Sequence, residues 1–206
     1  MRDWAETQVN FILIRHGETP SNVLKKYLGR TEEDLSEPGI RNLLIQKEKG
    51  KYPEADIIFS SPMKRCIQTA KILYDCKELF LIEEWREIDF GRFEGKNYKE
   101  LNGDGDYQAW IDSNGELPFP EGESREEFRL RCQRGLQRAA EELLRKERKT
   151  PVTAAVVVHG GTIMALLSSY CGGSYYDYQC KNTEGYRCSL RLLPGQEIKI
   201  EIIQKL

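Results

Sequence analysis

Two short apolar runs along the chain each stop at a histidine. The first, Phe11 to Ile14, is followed by Arg15 and His16, and the second, residues 154–158, is followed by His159. Runs of this length are typical of parallel strands that are covered on both faces. Ligands bind at the carboxyl ends of such strands. The pattern therefore predicts an α/β fold in which both histidines lie at one crevice.

The chain contains only these two histidines. A single histidine after a strand is more often an ordinary loop residue than a catalyst. Two of them in the same context, with Arg15 beside the first, favour a catalytic role.

The rest of the chain alternates predicted strands with predicted helices. Ser36 has the character of an N-cap, and Ile40, Leu43 and Leu44 are expected to share the apolar face of the helix that it starts. Further strands are predicted at 56–60, 80–82, 189–193 and 197–203, and further helices after Pro62, from 124 to about Lys149 and at 162–170. We expect one domain over residues 1–206, with a lid-like insertion at about 96–122 over the site.

Composition narrows the classes of function. The formal net charge is -2 with 31% charged residues, so nothing predicts a nucleic-acid partner. The first ten residues are polar and no apolar run is long enough to span a membrane, so neither a signal peptide nor a membrane partner is predicted. The six cysteines show no C-x-x-C pairing, which indicates reduced thiols and a cytoplasmic protein. The sequence leaves open whether the protein forms a homodimer.

Positive charge gathers near the predicted crevice. The segment 22–34 carries Lys25, Lys26 and Arg30, although a solvated surface is the safer interpretation of such a cluster. Arg65 falls in the first turn of a predicted helix, where the helix dipole repels cations. A bound anion would remove that conflict. Neither histidine has a second metal-ligating residue at a suitable spacing, so no metal or cofactor is predicted.

Four separated motifs, in this order, resemble those of the histidine phosphatase superfamily, also called phosphoglycerate mutase-like. They are Arg15-His16-Gly17-Glu18-Thr19 with Asn22, Ser61-Pro62 with Arg65 and Thr69, Glu87 before Gly91 and Glu94-Gly95, and His159-Gly160. The resemblance covers nearly the whole chain. It implies a three-layer sandwich whose mostly parallel, doubly wound sheet has helices on both faces, and a phosphatase of small phosphate esters.

Phosphate ester chemistry assigns a role to each motif. Arg15, Arg65 and a protonated His159, with backbone N–H groups near Gly160, are expected to neutralise the phosphate dianion. His16 is the expected nucleophile. Its other ring nitrogen is predicted to donate to a backbone carbonyl, and a phosphohistidine would result.

Two further polar side chains complete the predicted site. Asn22 is expected to donate a hydrogen bond to the phosphoryl group. Glu87 is the expected proton donor to the leaving group, with its pKa raised by partial burial.

Within the superfamily, segments 27–36, 93–98 and 119–124 most resemble alpha-ribazole phosphatases, which implies alpha-ribazole 5′-phosphate, an intermediate of cobalamin biosynthesis, as the substrate. Tyr27, Arg30 and Tyr98 are the expected substrate-binding residues. The aromatic side chains nearby, which include Tyr107, Trp110 and Phe119, are suited to stacking on a flat heterocycle, although packing of the lid is the alternative.

Three alternatives to this substrate and activity stay open. They are a phosphoglycerate mutase, a broad-specificity sugar-phosphate phosphatase, and a module that binds phosphate without turnover. Mutases of the superfamily are typically longer than this chain.

Overall fold

Six strands form one mixed sheet at the centre of the molecule. The computed structural model describes residues 6–75, 78–145 and 151–206. The strands are β1 (Thr7–Arg15), β2 (Ile57–Ser60), β3 (Leu79–Leu81), β4 (Val152–Val158), β5 (Gly185–Leu193) and β6 (Glu197–Lys205). Their spatial order is β3-β2-β4-β1-β5-β6. The first four strands run parallel to one another, β5 is antiparallel to β1, and β6 is antiparallel to β5. The predicted mostly parallel sheet is confirmed, and β1 and β5 begin four residues earlier than predicted.

Helices cover both faces of this sheet. They are α1 (Pro20–Val23), α2 (Glu37–Glu48), α3 (Lys64–Tyr74), α4 (Gly105–Asp112), α5 (Arg125–Arg145) and α6 (Gly160–Cys171). One buried cluster joins the sheet to α5 and α6 through residues such as Phe128 and Ile163. The other joins the opposite face to α2 and α3 through Leu43 and Cys66. The predicted three-layer sandwich is therefore confirmed.

Strand β1 shows why its sequence is an unbroken apolar run. Phe11 and Leu13 belong to the first cluster, whereas Ile12 and Ile14 belong to the second. Successive side chains of a strand point to opposite faces. Because both faces are covered, every position must be apolar.

The predicted apolar face of α2 is wrong in part. Leu43 is fully buried, but Ile40 and Leu44 are exposed. Gly39 lies against the backbone of Glu18, where any side chain would collide with the carbonyl oxygen. The helix therefore docks through Gly39 and Leu43, four residues apart on one stripe, and Ile40 and Leu44 each lie about 100° further around the axis.

The long helix α5 begins as predicted. Ser124 N donates to Glu127 Oε2 at 2.9 Å, and Glu127 N donates to Ser124 Oγ at 3.1 Å, which makes the capping box. Its predicted end near Lys149 falls outside the described residues. Among the helices that the structure describes, none has the length and apolar character that crossing a membrane would require.

Candidate active site

The sheet topology brings the two histidines together. β1 and β4 are parallel neighbours, with Arg15 opposite Val158. His16 and His159, the next residue of each strand, therefore emerge side by side. His16 N donates to Val158 O at 2.9 Å, and the two ring centroids lie 5.2 Å apart in an edge-to-face arrangement. The predicted crevice at the strand ends is where both histidines lie.

The His16 ring is held in one orientation. Its Nδ1 lies 2.7 Å from Gly17 O, so Nδ1 carries the proton and Nε2 keeps its lone pair. The predicted hydrogen bond to a backbone carbonyl is confirmed. Thr69 Oγ1 accepts from Gly17 N at 2.9 Å and donates to Arg65 O at 2.7 Å, which fastens this loop to α3.

His159 is fully buried. Its Nε2 lies 2.8 Å from Ser61 Oγ and 3.5 Å from Cys66 Sγ. Burial, followed by the charge of Arg65, lowers the pKa of His159 well below its usual value. The lowered pKa favours the neutral imidazole in the protein without an anion, and a protonated His159 in the phosphate complex stays a prediction. Burial and the same guanidinium also lower the pKa of His16.

Two arginines bring positive charge to the site, Arg65 fully buried and Arg15 half-buried at the cavity wall. Arg15 Nη1 donates to Cys180 O at 2.7 Å, and Arg65 donates to three carbonyls of segment 28–31, the nearest being Gly29 O at 2.8 Å. The Nε atoms of both arginines are buried without a hydrogen-bond partner. Among the described residues, no carboxylate forms an ion pair with either guanidinium. The arrangement is therefore suited to binding an anion.

Glu87 is the carboxylate of the site, and it is only 8% exposed. Its Oε1 accepts from Ile88 N at 3.0 Å and its Oε2 from Gly161 N at 3.4 Å. Burial raises the pKa of Glu87, as predicted, against the opposing effect of those hydrogen bonds and of the arginines. A side chain at Gly161 would have to displace the Glu87 carboxylate, so glycine lets α6 approach the carboxylate in its observed position.

Arg131 on α5 holds the backbone around Glu87. It donates to the carbonyls of Glu84 and Arg86, each at 2.8 Å, and to that of Glu87 at 3.3 Å. An ion pair with Glu123 at 2.6 Å fixes the guanidinium in turn. Sequence analysis missed Arg131, because its carbonyl partners lie more than 40 residues away along the chain.

A cavity of about 800 Å³ opens over these residues. The predicted site residues that line it are Arg15, Asn22, Tyr27, Glu87, Tyr98 and Gly160. His16, His159 and Arg65 are buried next to lining residues and do not themselves line the cavity. Arg30 does not line it either, because its side chain pairs with Asp89 at 3.2 Å and is 57% exposed.

The cavity wall is more basic than the chain as a whole. Six of its residues are basic and two are acidic, whereas the chain has 31 basic and 33 acidic residues. The basic ones are Arg15, Lys25, Lys26, Arg125, Lys181 and Lys205. Sequence analysis missed the last three and Asn182, since they come from segments that only the fold brings together. Within the described parts of the chain, no group of His, Cys, Asp or Glu is arranged to hold a metal ion.

The predicted aromatic residues mostly pack against one another. Trp110 and Phe119 have ring centroids 5.0 Å apart, and Tyr107 stacks on Trp110 at 6.2 Å. The hydroxyl groups of Tyr27 and Tyr107 share a hydrogen bond of 3.2 Å. Phe119 is only 7% exposed. Residues of the segment 96–122 therefore contribute an aromatic cluster to the cavity wall, of which only parts face the interior.

The chain is similar to known proteins over most of its length. The family model of the histidine phosphatase superfamily (branch 1) matches residues 11–201. Phosphoserine phosphatase 1 of Hydrogenobacter thermophilus is 28% identical over 181 residues, which cover 84% of this chain and 83% of the relative.

Two solved structures share the fold over nearly their whole length. The structure of phosphoserine phosphatase from Entamoeba histolytica in complex with 3-phosphoglyceric acid has a TM-score of 0.75 at 28% identity, covering 96% of each chain. A putative alpha-ribazole-5′-P phosphatase from Escherichia coli has a TM-score of 0.77 at 20% identity, covering 95% of this chain and 96% of that one.

The two buried histidines predict a dependence of stability on pH. Their pKa values are lowered in the folded protein, so below about pH 6.5 the unfolded chain binds protons that the folded protein excludes. This contribution to stability is present above that pH and is lost as the pH falls. We expect the free energy of unfolding, measured in urea, to drop by up to about 1.4 kcal/mol per pH unit for each histidine.

The matched variants are His159→Gln and the double variant His16→Gln/His159→Gln. The single substitution should remove about half of the slope of the free energy of unfolding against pH between about pH 6 and about pH 5. The double substitution should remove most of that slope. An unchanged slope in the double variant would show that other groups cause the acid lability.

Proposed function

This chain belongs to branch 1 of the histidine phosphatase superfamily, and we propose that it hydrolyses a small phosphate monoester through a phosphohistidine formed on His16. One observation carries the proposal. His16 has its Nδ1 bonded to Gly17 O and its Nε2 lone pair free, beside the buried Arg65 and the half-buried Arg15, whose guanidinium groups no described carboxylate neutralises. Such a site supplies both a nucleophile and the charge compensation that a phosphate dianion needs.

Binding of the dianion sets up the reaction. Arg15 and Arg65 would each give charge-assisted hydrogen bonds, and the amide of Asn22 and the N-terminus of α6 at Gly160 would add neutral donors. The negative charge also stabilises an imidazolium, which raises the pKa of His159 from its lowered value. His159 thereby becomes a further donor only when substrate is bound.

The phosphoryl group is then transferred in two steps, first to His16 and then to water. Nε2 of His16 attacks phosphorus and forms the N–P bond while the ester O–P bond breaks. Protonated Glu87 gives its proton to the leaving oxygen. In the second step Glu87 takes a proton from water, whose oxygen attacks phosphorus, and the N–P bond breaks to release phosphate and neutral His16. The raised pKa of Glu87 suits both of its roles.

The basic wall favours a substrate that carries a second anionic group, such as a carboxylate. Lys25, Lys26 and Lys181 line the cavity beyond the phosphoryl site, and none of them forms an ion pair with a described carboxylate. Residues 96–122 act as the lid, since Tyr98, Trp110 and Phe119 come from that insertion. A phosphorylated hydroxy acid or amino acid satisfies both the charge and the size of the enclosed space.

Alpha-ribazole 5′-phosphate is the second candidate. The parts of Tyr27, Tyr98, Trp110 and Phe119 that face the cavity form an aromatic wall, which suits a flat heterocycle. The basic wall argues against it, because its non-phosphate part carries no negative charge.

The role of Glu87 is tested by varying the leaving group. Glu87→Gln removes the proton donor, so kcat/KM should fall about 100-fold or more for an alkyl phosphate and much less for p-nitrophenyl phosphate, whose leaving group departs without a proton. Arg15→Ala should lower kcat/KM by a similar factor for both esters, because both need the same charge compensation. Equal losses for the two esters in Glu87→Gln would contradict the assignment of the acid.

The substrate class is tested with a panel of esters ranked by kcat/KM. We expect phosphoserine or 3-phosphoglycerate to rank above glycerol 3-phosphate and alpha-ribazole 5′-phosphate. Lys26→Ala should raise KM about fivefold for the acidic esters and leave glycerol 3-phosphate nearly unchanged. Lys71→Ala, an exposed lysine on α3 outside the cavity lining, is the matched control.

Other results from this panel of esters would change the assigned substrate class. A first place for alpha-ribazole 5′-phosphate would favour the second candidate. Phosphoryl transfer to phosphoglycerate in the presence of 2,3-bisphosphoglycerate would place the protein among the mutases.

A further inference from the structure

We infer that Asn182 is a positioning residue that fixes both the nucleophile loop and the phosphate-facing amide of Asn22. The Asn182 Nδ2 lies 3.0 Å from His16 O, 3.3 Å from Gly17 O and 3.0 Å from Asn22 Oδ1. Its two hydrogens can serve the Asn22 oxygen and the pair of carbonyls at the same time. One side chain thus ties together two of the groups that the proposed function requires.

The contact with Gly17 bears on the nucleophile. Gly17 O is also the acceptor for His16 Nδ1, and a carbonyl oxygen has two lone pairs. Asn182 therefore holds the carbonyl that keeps the proton on Nδ1 and the lone pair on Nε2 of His16.

The contact with Asn22 decides which end of its amide faces the phosphoryl group. Asn22 Oδ1 accepts from Asn182 Nδ2 and also from Thr19 N at 3.2 Å. With the oxygen engaged twice, Nδ2 is the end of the Asn22 amide that is left to donate into the cavity, which Asn22 lines. The donors at Asn182 and at Thr19 N together orient the amide so that Asn22 can donate to phosphate.

The backbone at the next residue shows that Asn182 is held at a cost. Thr183 has φ of 67°, a left-handed conformation that is strained for a β-branched residue. The surroundings enforce it: Thr183 N donates to Arg15 O at 3.1 Å, and Tyr52 donates its hydroxyl to Thr183 O at 2.9 Å. Arg15 N in turn donates to Glu184 O at 2.9 Å. The loop is clamped to the end of β1, which carries the nucleophile.

The inference rests on the proposed function, and it predicts that the effects of replacing Asn182 and Asn22 are coupled. Asn182→Asp keeps the shape of the side chain but replaces the donor by an acceptor. The carboxylate would repel Asn22 Oδ1 and attract Nδ2, and we expect this charge to outweigh the neutral hydrogen bond from Thr19 N. The Asn22 oxygen would then face the phosphoryl group, so its contribution to phosphate binding is lost. Replacing Asn22 in that background should therefore cost little more.

The test is a double-mutant cycle on Asn22→Ala, Asn182→Asp and the double variant. Two quantities are measured: kcat/KM with p-nitrophenyl phosphate, and the affinity for inorganic phosphate by titration calorimetry. We expect each single variant to lose about 100-fold in kcat/KM and about 10-fold in phosphate affinity. The double variant should lie within about threefold of the weaker single variant.

Additive losses, in which the double variant loses the product of the two factors, would overturn the inference. Asn42→Asp is the matched control, because Asn42 is exposed and donates to Thr183 Oγ1 at 3.3 Å from outside the site. It adds the same charge and loosens the same loop. A loss in Asn42→Asp equal to that in Asn182→Asp would show that anchoring of the loop is enough to explain the effect.

Two further measurements keep the outcomes distinct. If Asn182→Asp does not fold, Asn182→Ala removes the donor without adding charge and must show the same lack of additivity with Asn22→Ala. The phosphate titrations need no turnover. Absence of hydrolysis by the wild type would therefore count against the proposed function, while the cycle on phosphate affinity still decides the role of Asn182.

Discussion

Buried positive charge without a carboxylate partner is the constraint on which this structure depends. Arg65 is fully buried, and its guanidinium rests on carbonyl oxygens of segment 28–31. Carbonyl dipoles offset only part of the cost of burying a cation. Arg15 is half-buried and also has no carboxylate partner among the described residues, and both arginines retain a buried Nε without a hydrogen-bond partner. The neighbouring imidazoles respond by staying neutral. A bound anion would complete the set, and the proposed function makes that anion a phosphoryl group that His16 and Glu87 process.

The fold supplies this arrangement through elements far apart in the chain. Adjacent parallel strands β1 and β4 place the two histidines together, and α3 brings Arg65 beneath them. The loop before the antiparallel strand β5 then closes the site from the other side. Through its contacts with Arg15, His16 and Asn22, the loop before an edge hairpin of the sheet also holds the candidate site. In the same way, α5 holds the Glu87 loop through Arg131.

Local patterns predicted the parts of the site that depend on local structure. His16 and His159 could be found because a strand and the residue after it are contiguous in sequence, and the burial of Glu87 followed from its aromatic surroundings. Asn182 and Arg131 could not be found, since their partners lie about 160 and more than 40 residues away. The lowered pKa of His159 could not be found from the sequence either, because it depends on complete burial beside Arg65. The exposure of Ile40 and Leu44 depends on a contact of Gly39 that no periodicity shows.

The central claim is that His16 carries the phosphoryl group, and trapping the intermediate tests it most directly. Wild-type protein would be mixed with ³²P-labelled phosphate ester, quenched rapidly in alkali, digested and analysed by mass spectrometry. The account predicts a phosphorylated peptide that contains His16, stable in base and labile in acid, and absent from His16→Ala although His159 is intact. Label on another residue, or turnover by His16→Ala at a rate close to that of the wild type, would contradict it.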